Sequence, residues 1–454
     1  MRRLPLFFVL LTTLNCSGFR AADADGALSE ASTKDVLDSS QDTQADTLPD
    51  TPAAPHDEPC LELWTESTGE GACAGRRVVE IAKGVLDSSD VAIAVTSENR
   101  RVVIAYQNYL WADEAKLHLT SFGVEPGAAI TRRELEGLSV VRMGDAFDLA
   151  PSVAGDTVHL MRADLESSTN GEITYQSVDG ETLQLGNASL LANDVSAKTK
   201  VGVFEANNGE IFGLYYNDLN GTIYWRRRIA ADQGWSAATT VTGLSNVDGI
   251  GAGHFALARQ HNGLPALVYT FTVSDGSQPR YLQFNGSDWA IPKTVDSVFG
   301  EAYGGYAATL AIIGTRRVVA HISLTEVFAL RLAEWEGVDD VPKISVLDEG
   351  PVSDPERPAH DLALAKDNYG LLHLVLIDPG KHYPDTSSGS LDYWRQHTVD
   401  GATRWIRDVI MKDVANGMGR SWVDLQVDGG GKPHIAFYNG TTGQVLYVTR
   451  DDRL

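Results

Sequence analysis

The chain is poor in cysteine, with three in 454 residues, and no stretch after the short apolar run Leu4 to Leu14 approaches the length of a membrane span. So few cysteines exclude a disulfide-built mini-domain, and their spacing excludes a CxxC redox or metal motif. Basic clusters are equally scarce. The formal net charge is −24, and the densest basic run is Trp-Arg-Arg-Arg at 225–228. Nucleic-acid backbones need a dense cationic surface, so a nucleic-acid partner is not expected. The motifs G-x-S-x-G, H-x-H and H-E-x-x-H are missing, as is a phosphate-binding glycine loop. These absences remove the common sequence signals for a serine nucleophile, a zinc centre or a nucleotide. No cofactor and no metal are expected.

What is present is a repeat. Near the C-terminus, "PHIAFYNGTTGQVLYVT" (433–449) reads as two strands with alternating apolar residues, joined at a Gly-Thr-Thr-Gly turn. The same order of apolar strand, polar turn, second strand and third strand recurs from starts near residues 90, 146, 198, 254, 306, 359 and 421. Six copies also carry a fourth apolar-alternating stretch, such as "AITRRELE", "SAATTVTG", "AIPKTVDS" and "RWIRDVIM". Four strands per unit, repeated every 52 to 62 residues, predict an all-β, seven-bladed β-propeller spanning 61–454. The seventh copy lacks its fourth strand. "GRRVVEIAKG" (75–84) has the matching pattern, so Val78 to Ala82 are expected to pair with 443–449 and close the ring.

The front of the chain differs in composition. Arg2 and Arg3 precede an apolar run ending near Cys16, a secretory signal too short to span a bilayer. Residues 21–60 hold ten acidic residues and one lysine, with too little apolar surface to offset the entropy of ordering. The expected organisation is a signal peptide over 1–16, a disordered acidic linker over 17–60, and the propeller. The segment around Cys16 resembles bacterial lipoprotein signals, although Thr13 and Asn15 depart from their usual Leu and small residue. That resemblance implies acylation of Cys16, with Ser17 pointing to outer-membrane sorting, and a membrane attachment through the lipid alone. Ordinary secretion with cleavage near 21–24 is the alternative. Cys60 and Cys73 are then left to form a disulfide, in keeping with an oxidising compartment.

The repeats suggest more about structure than about chemistry. His159, His373 and His434 recur at one place in the second strands, and are read as part of the repeat rather than as metal ligands. Trp225 and Trp394 occupy matching third-strand positions, and Trp235, Trp289 and Trp405 start fourth strands, all as packing between blades. The Arg pairs at 76–77, 100–101, 132–133 and 316–317 are expected at strand starts and in solvent. Two connections depart from the short consensus. Residues 107–116 offer Tyr109, Trp111 and Asp113, and residues 376–390 offer Lys381, His382, Tyr383 and Asp385. Aromatic residues beside carboxylates are suited to contacting a sugar or a peptide, and variable loops on a rigid frame are where propellers carry function.

In architecture the chain resembles sialidase-like and lectin-like propellers of bacterial surfaces. It lacks their Asp-box turn, S-x-D-x-G-x-x-W; the corresponding turns are "IAADQGW" (229–235) and "FNGSDW" (284–289). The resemblance implies a monomeric, non-catalytic module that binds a glycan or an envelope protein through its loop face. A glycoside hydrolase or polysaccharide lyase is the alternative, with catalytic residues brought together only in space.

Overall fold

The computed structural model describes most of residues 70–450. Residues 1–69 and 451–454 lie outside it, as do several connections, the longest being 136–146, 242–254, 297–306, 352–360, 379–388 and 415–421. Every described residue belongs to one compact unit, Ala53–Leu454.

The described chain is all β and forms seven antiparallel sheets. Each sheet is one blade. Its innermost strands are Val91–Val95, Phe147–Pro151, Lys200–Glu205, Phe255–Arg259, Ala308–Ile313, Leu362–Lys366 and Val423–Val427, and each begins within three residues of its expected repeat start. Neighbouring inner strands follow the order of the chain, and the last meets the first, closing a ring.

The seventh blade is completed from the front of the chain. Arg76–Lys83 pairs with Gln444–Arg450, aligning Arg76 with Arg450, Val78 with Val448 and Lys83 with Gln444, with a bulge between Glu80 and Ala82. Its side chains divide between the two neighbours. Val78 joins the core shared with blade six, while Val79 and Ile81 join the core shared with blade one. A further strand, Glu70–Cys73, pairs outside it, so this blade has five strands rather than the expected four.

Two fourth strands are much shorter than their sequence pattern. Blade three keeps only Thr239–Thr240 and blade four only Lys293–Thr294. Pro292 precedes the latter and cannot donate to a ladder. Single bonds continue the outer edge irregularly, from Val241 N to the Ile223 carbonyl and from Val295 N to the Pro279 carbonyl, both close to 3 Å (2.9 and 3.0 Å).

The core lies between blades. Gly213 of blade three shows how closely they approach, since a Cβ there would fall 2.5 Å from Leu191 Cδ2 of blade two. Trp225 stacks edge-on against Phe284 of blade four, with ring centroids 4.9 Å apart. Trp235 donates from its indole N–H to Ser189 Oγ of blade two at 3.0 Å. Trp394 is buried in the core between blades five and six. The tryptophans therefore pack between blades.

Candidate functional site

Antiparallel blades give the ring two unlike faces. One holds the turns between first and second strands and between third and fourth; the other holds the second-to-third hairpins and the connections between blades. On this second face, among the described residues, four second strands run three or more residues beyond their inner strands. Val91 pairs with Tyr106, Phe147 with Arg162, Phe255 with Tyr269, and Ala308 with His321. The second strands run on to Leu110, Ser167, Val273 and Leu324. At about 3.3 Å per residue they stand roughly 10–17 Å above the ends of the inner strands. They wall the mouth of a central cavity of about 370 Å³, lined by all seven inner strands.

Three of the five carboxylates lining this cavity tie each blade to the next. Asp148 Oδ2 accepts the Val203 N–H at 2.7 Å, Asp361 Oδ2 the Val423 N–H at 3.0 Å, and Asp424 Oδ2 the Ile93 N–H at 2.8 Å. In each case the donor belongs to the next blade. Thr309 Oγ1 does the same for the Leu364 N–H at 3.2 Å. Inner strands do not otherwise form ladders with one another, so these side chains satisfy backbone donors that would be costly to bury alone. At the walled mouth, Lys200 is 2 % exposed and its ammonium lies 6.0 Å from the Trp422 ring of blade seven.

The repeated histidines are structural. His159, His373 and His434 are buried, and each ring Nδ1 meets a tyrosine hydroxyl of the third strand, from Tyr175, Tyr393 and Tyr447. Their other nitrogens face acids: Glu205 Oε2 at 3.0 Å, Asp367 Oδ2 at 3.7 Å and Asp428 Oδ2 at 3.4 Å. Burial pushes the His434 imidazole down, against the pull of Asp428. Burial would by itself raise Glu205, but bonds from His159, Ser152 and the Val153 N–H outweigh it and hold the carboxyl down at about 2. Asp428 is also held well below the carboxylate range. Burial opposes this, and His434, the Lys432 N–H and Arg100 overcome it.

These depressed carboxyls set an acid limit on stability. The contribution of Glu205 is complete above its ordinary value of 4.5 and is lost as pH falls towards about 2, and that of Asp428 is lost over a still more acidic range. The melting temperature is expected to fall steeply between about pH 5 and about pH 2. Glu205→Gln is expected to flatten that fall; a slope identical to wild type would show that Glu205 is not its source.

Of the paired arginines expected in solvent, Arg100, Arg132 and Arg133 are exposed, whereas the others are buried or half-buried. Arg76 is 4 % exposed and bonds Asp408 of blade six. Arg77 Nη1 donates to the Val124 carbonyl of blade one at 2.9 Å. Arg101 pairs with Glu181 and Arg133 Nη1 donates to the Leu183 carbonyl, both in blade two. Arg317 Nε donates to the Tyr281 hydroxyl of blade four at 3.0 Å. A strand start in this fold lies beside the turn of its neighbour, and the long guanidinium arm crosses to it.

Polar groups also collect in the clefts between blades on the hairpin face. In blade one, Tyr106 and His118 stack with centroids 5.0 Å apart, and Glu134 bonds Lys116 at 2.5 Å. Arg132 and Glu134 both act on the Tyr106 hydroxyl, which burial pushes up. Between blades four and five, Arg331 Nε donates to the buried Asp296 at 2.8 Å. Among the described residues, no group of three or more histidine, cysteine or acidic side chains could hold a metal ion.

The sequence-expected site residues are only partly reached. Residues 107–116 are mostly a hairpin rather than a loop, Arg101–Leu110 against Glu114–Gly123, with Tyr109 in strand opposite Ala115. Trp111 and Asp113 lie outside the described residues, as do Lys381, His382, Tyr383 and Asp385. The stem of the last four is described, with Asp378 opposite Ser390. Cys16 and Cys60 also lie outside, and Cys73 ends the outermost strand opposite Arg76. Sequence reasoning missed Gln107, Arg162 and Asp164 on the walls of the mouth. The only available signal was that polar residues alternate at the ends of two strands that outrun their partners.

No protein family matches the chain, and no curated protein matches its sequence. Solved structures match at the level of architecture. The Aleuria aurantia lectin is 13% identical, with 74% of this chain and 99% of that chain covered and a TM-score of 0.43. The NanB sialidase from Streptococcus pneumoniae is 9% identical over 82% and 70% of the two chains, at 0.44. The α-L-arabinanase of Penicillium chrysogenum is 10% identical over 82% and 96%, at 0.41. These are lectin-like and enzyme propellers alike, and likeness at this level decides neither ligand nor chemistry.

Proposed function

We propose that the chain is a non-catalytic binding module of the cell envelope that takes a glycan or protein on its hairpin face. One observation carries this reading. Of the five carboxylates lining the cavity, Asp148, Asp361 and Asp424 accept backbone N–H groups of the next blade and Glu205 is tied to His159 and the Val153 N–H, so these four serve the wall rather than a reaction. A general acid or base must change its protonation during turnover, and here that would loosen the ring. The high walls around the mouth favour recognition by shape and hydrogen bonding. The test presents the purified protein to an array of neutral and acidic glycans and to envelope extracts, with release of reducing ends or unsaturated uronate followed in parallel. Retention without turnover is the expected result.

The enzyme reading has its own observation, the Tyr106, His118, Arg132 and Glu134 group on blade one. Turnover of a polysaccharide that disappears in Tyr106→Phe or His118→Gln would replace the binding reading with that one.

Export through the signal, anchorage by acylated Cys16, a tether over 17–60 and a Cys60–Cys73 disulfide belong to the same proposal. Intact-mass measurement of the native protein is expected to show a diacylated start at Cys16 and two fewer hydrogens than the reduced chain. A start near residues 21–25 without an acyl chain would remove the anchor and leave export standing.

A further inference from the structure

Buried polar atoms without a partner are rare in folded proteins, and each needs a physical reason. Three of them share the cleft between blades one and two on the hairpin face: Gln107 Nε2, Arg162 Nη1 and Asp164 Oδ1. The register brings them together. In blade one, Val103 and Ala105 pack into the core shared with blade two, while Ile104 and Tyr106 pack towards blade seven. Alternation continues the first set to Gln107, which is paired with Leu117 of that same core. In blade two, Met161 lies beside Gly213 of blade three, so Arg162 and Asp164 face the opposite way, towards blade one. Tyr106 and Arg162 each end the pairing with their inner strands and stand at equal height. Gln107 therefore reaches the cleft at a level between Arg162 and Asp164.

The two charged groups are held on their inner sides. Thr174 Oγ1 donates to Asp164 Oδ2 at 3.1 Å, and Arg162 Nε lies 3.3 Å from the same oxygen and 3.4 Å from Thr174 Oγ1. Their remaining atoms form a fixed donor beside a fixed acceptor. We propose that this cleft is a binding subsite for a neutral sugar, in which Arg162 Nη1 donates to one hydroxyl of a vicinal diol, Asp164 Oδ1 accepts from the other, and Gln107 contacts an adjacent oxygen from the facing wall. The proposal rests on the glycan reading above and narrows it. The guanidinium and carboxylate sum to zero charge. A ligand carboxylate would meet Asp164 and Glu172, which are opposite each other in register, and a ligand ammonium would meet Arg162. A neutral polyol alone matches both without leaving a charge unpaired.

The experiment uses the full chain against an array of neutral hexose, pentose and deoxyhexose oligosaccharides, with sialylated and uronate-bearing ones beside them. Calorimetric titration with the best neutral sugar follows, for wild type and for Arg162→Lys, Asp164→Asn and Gln107→Met. Each variant is expected to bind at least about tenfold more weakly. Gln107→Met is expected to melt at or above the wild-type temperature, because the amide it removes makes no bond within the protein. A merely structural role would lower that melt. Undiminished sugar binding in all three variants would overturn the subsite and leave the glycan reading intact. A preference for acidic sugars would overturn the neutral class. Retention of no glycan at all would end both, and a crystal at saturating sugar with only water at these three atoms would end the subsite alone.

Discussion

A chain lacking residues 443–454 is expected to lose its cooperative melt altogether, rather than to lose a terminal element. The deletion removes Gln444–Arg450, the third strand of blade seven, and with it the only ladder that holds Arg76–Lys83 on its inner side. Val445, Leu446, Tyr447 and Val448 are at most 2 % exposed. At about 1.5–3 kcal/mol for each large buried side chain, these four alone represent roughly 6–12 kcal/mol. That is comparable with the whole stability of a typical domain, about 5–15 kcal/mol. The losses continue on both sides. Val78, in the core with blade six, and Val79 and Ile81, in the core with blade one, would leave with the strand they pair to. Circular dichroism melts and proteolysis check it. A truncated protein with the wild-type transition would mean that the ring is closed by something other than this blade.

The same interlocking explains which parts could be read in advance. A propeller repeats its inner three strands because each must fit between two neighbours, and that demand writes a period into the sequence. Inner strands therefore fell within three residues of the repeat starts, and the displaced closing strand was recognisable from "RVVEIA". The outer edge answers to no such demand. The stretches 236–243 and 290–297 carry the strand pattern, yet among their described residues two pair in each, and Glu70–Cys73 adds a strand that no repeat required. The burial of arginines such as Arg76 is illegible for a related reason. Their partners, such as Asp408 for Arg76, belong to neighbouring blades far away in the chain. The walls of the mouth posed the hardest case. Residues 107–116 have the sequence of a loop because the polar run from Gln107 to Asn108 breaks the alternation, whereas hairpins that rise above the inner strands have no core on one side to demand it. That Gln107 faces Arg162 and Asp164 follows only from register in two separate sheets.

Asp408→Ala is expected to destabilise the ring more than any other single change at its closure, by about 3–5 kcal/mol. Asp408 lies on the outer strand of blade six, Ala402–Lys412, and is 7 % exposed. Its two oxygens serve two arginines of blade seven. Oδ1 bonds Arg76 Nη2, and Oδ2 accepts from Arg450 Nη1 at 2.7 Å. Arg76 also donates to the Val409 carbonyl at 3.3 Å. The two arginines stand opposite each other in the closing ladder, so the carboxylate clamps the closing strand Arg76–Lys83 and the last strand Gln444–Arg450 onto the preceding blade. Removing it leaves two like charges side by side with their common counter-ion gone, and Arg76 is too buried for water to replace the lost bonds. Asp408→Asn keeps the shape and one acceptor and is expected to cost less. Arg450→Ala is milder still, because that side chain is 14 % exposed and Asp408 retains Arg76. Denaturant unfolding of the three variants, with a double-mutant cycle between Asp408 and Arg450, measures the coupling. Equal losses in Asp408→Ala and Arg450→Ala would show that the clamp acts as a single surface pair and that packing of the closing strand alone holds the ring shut.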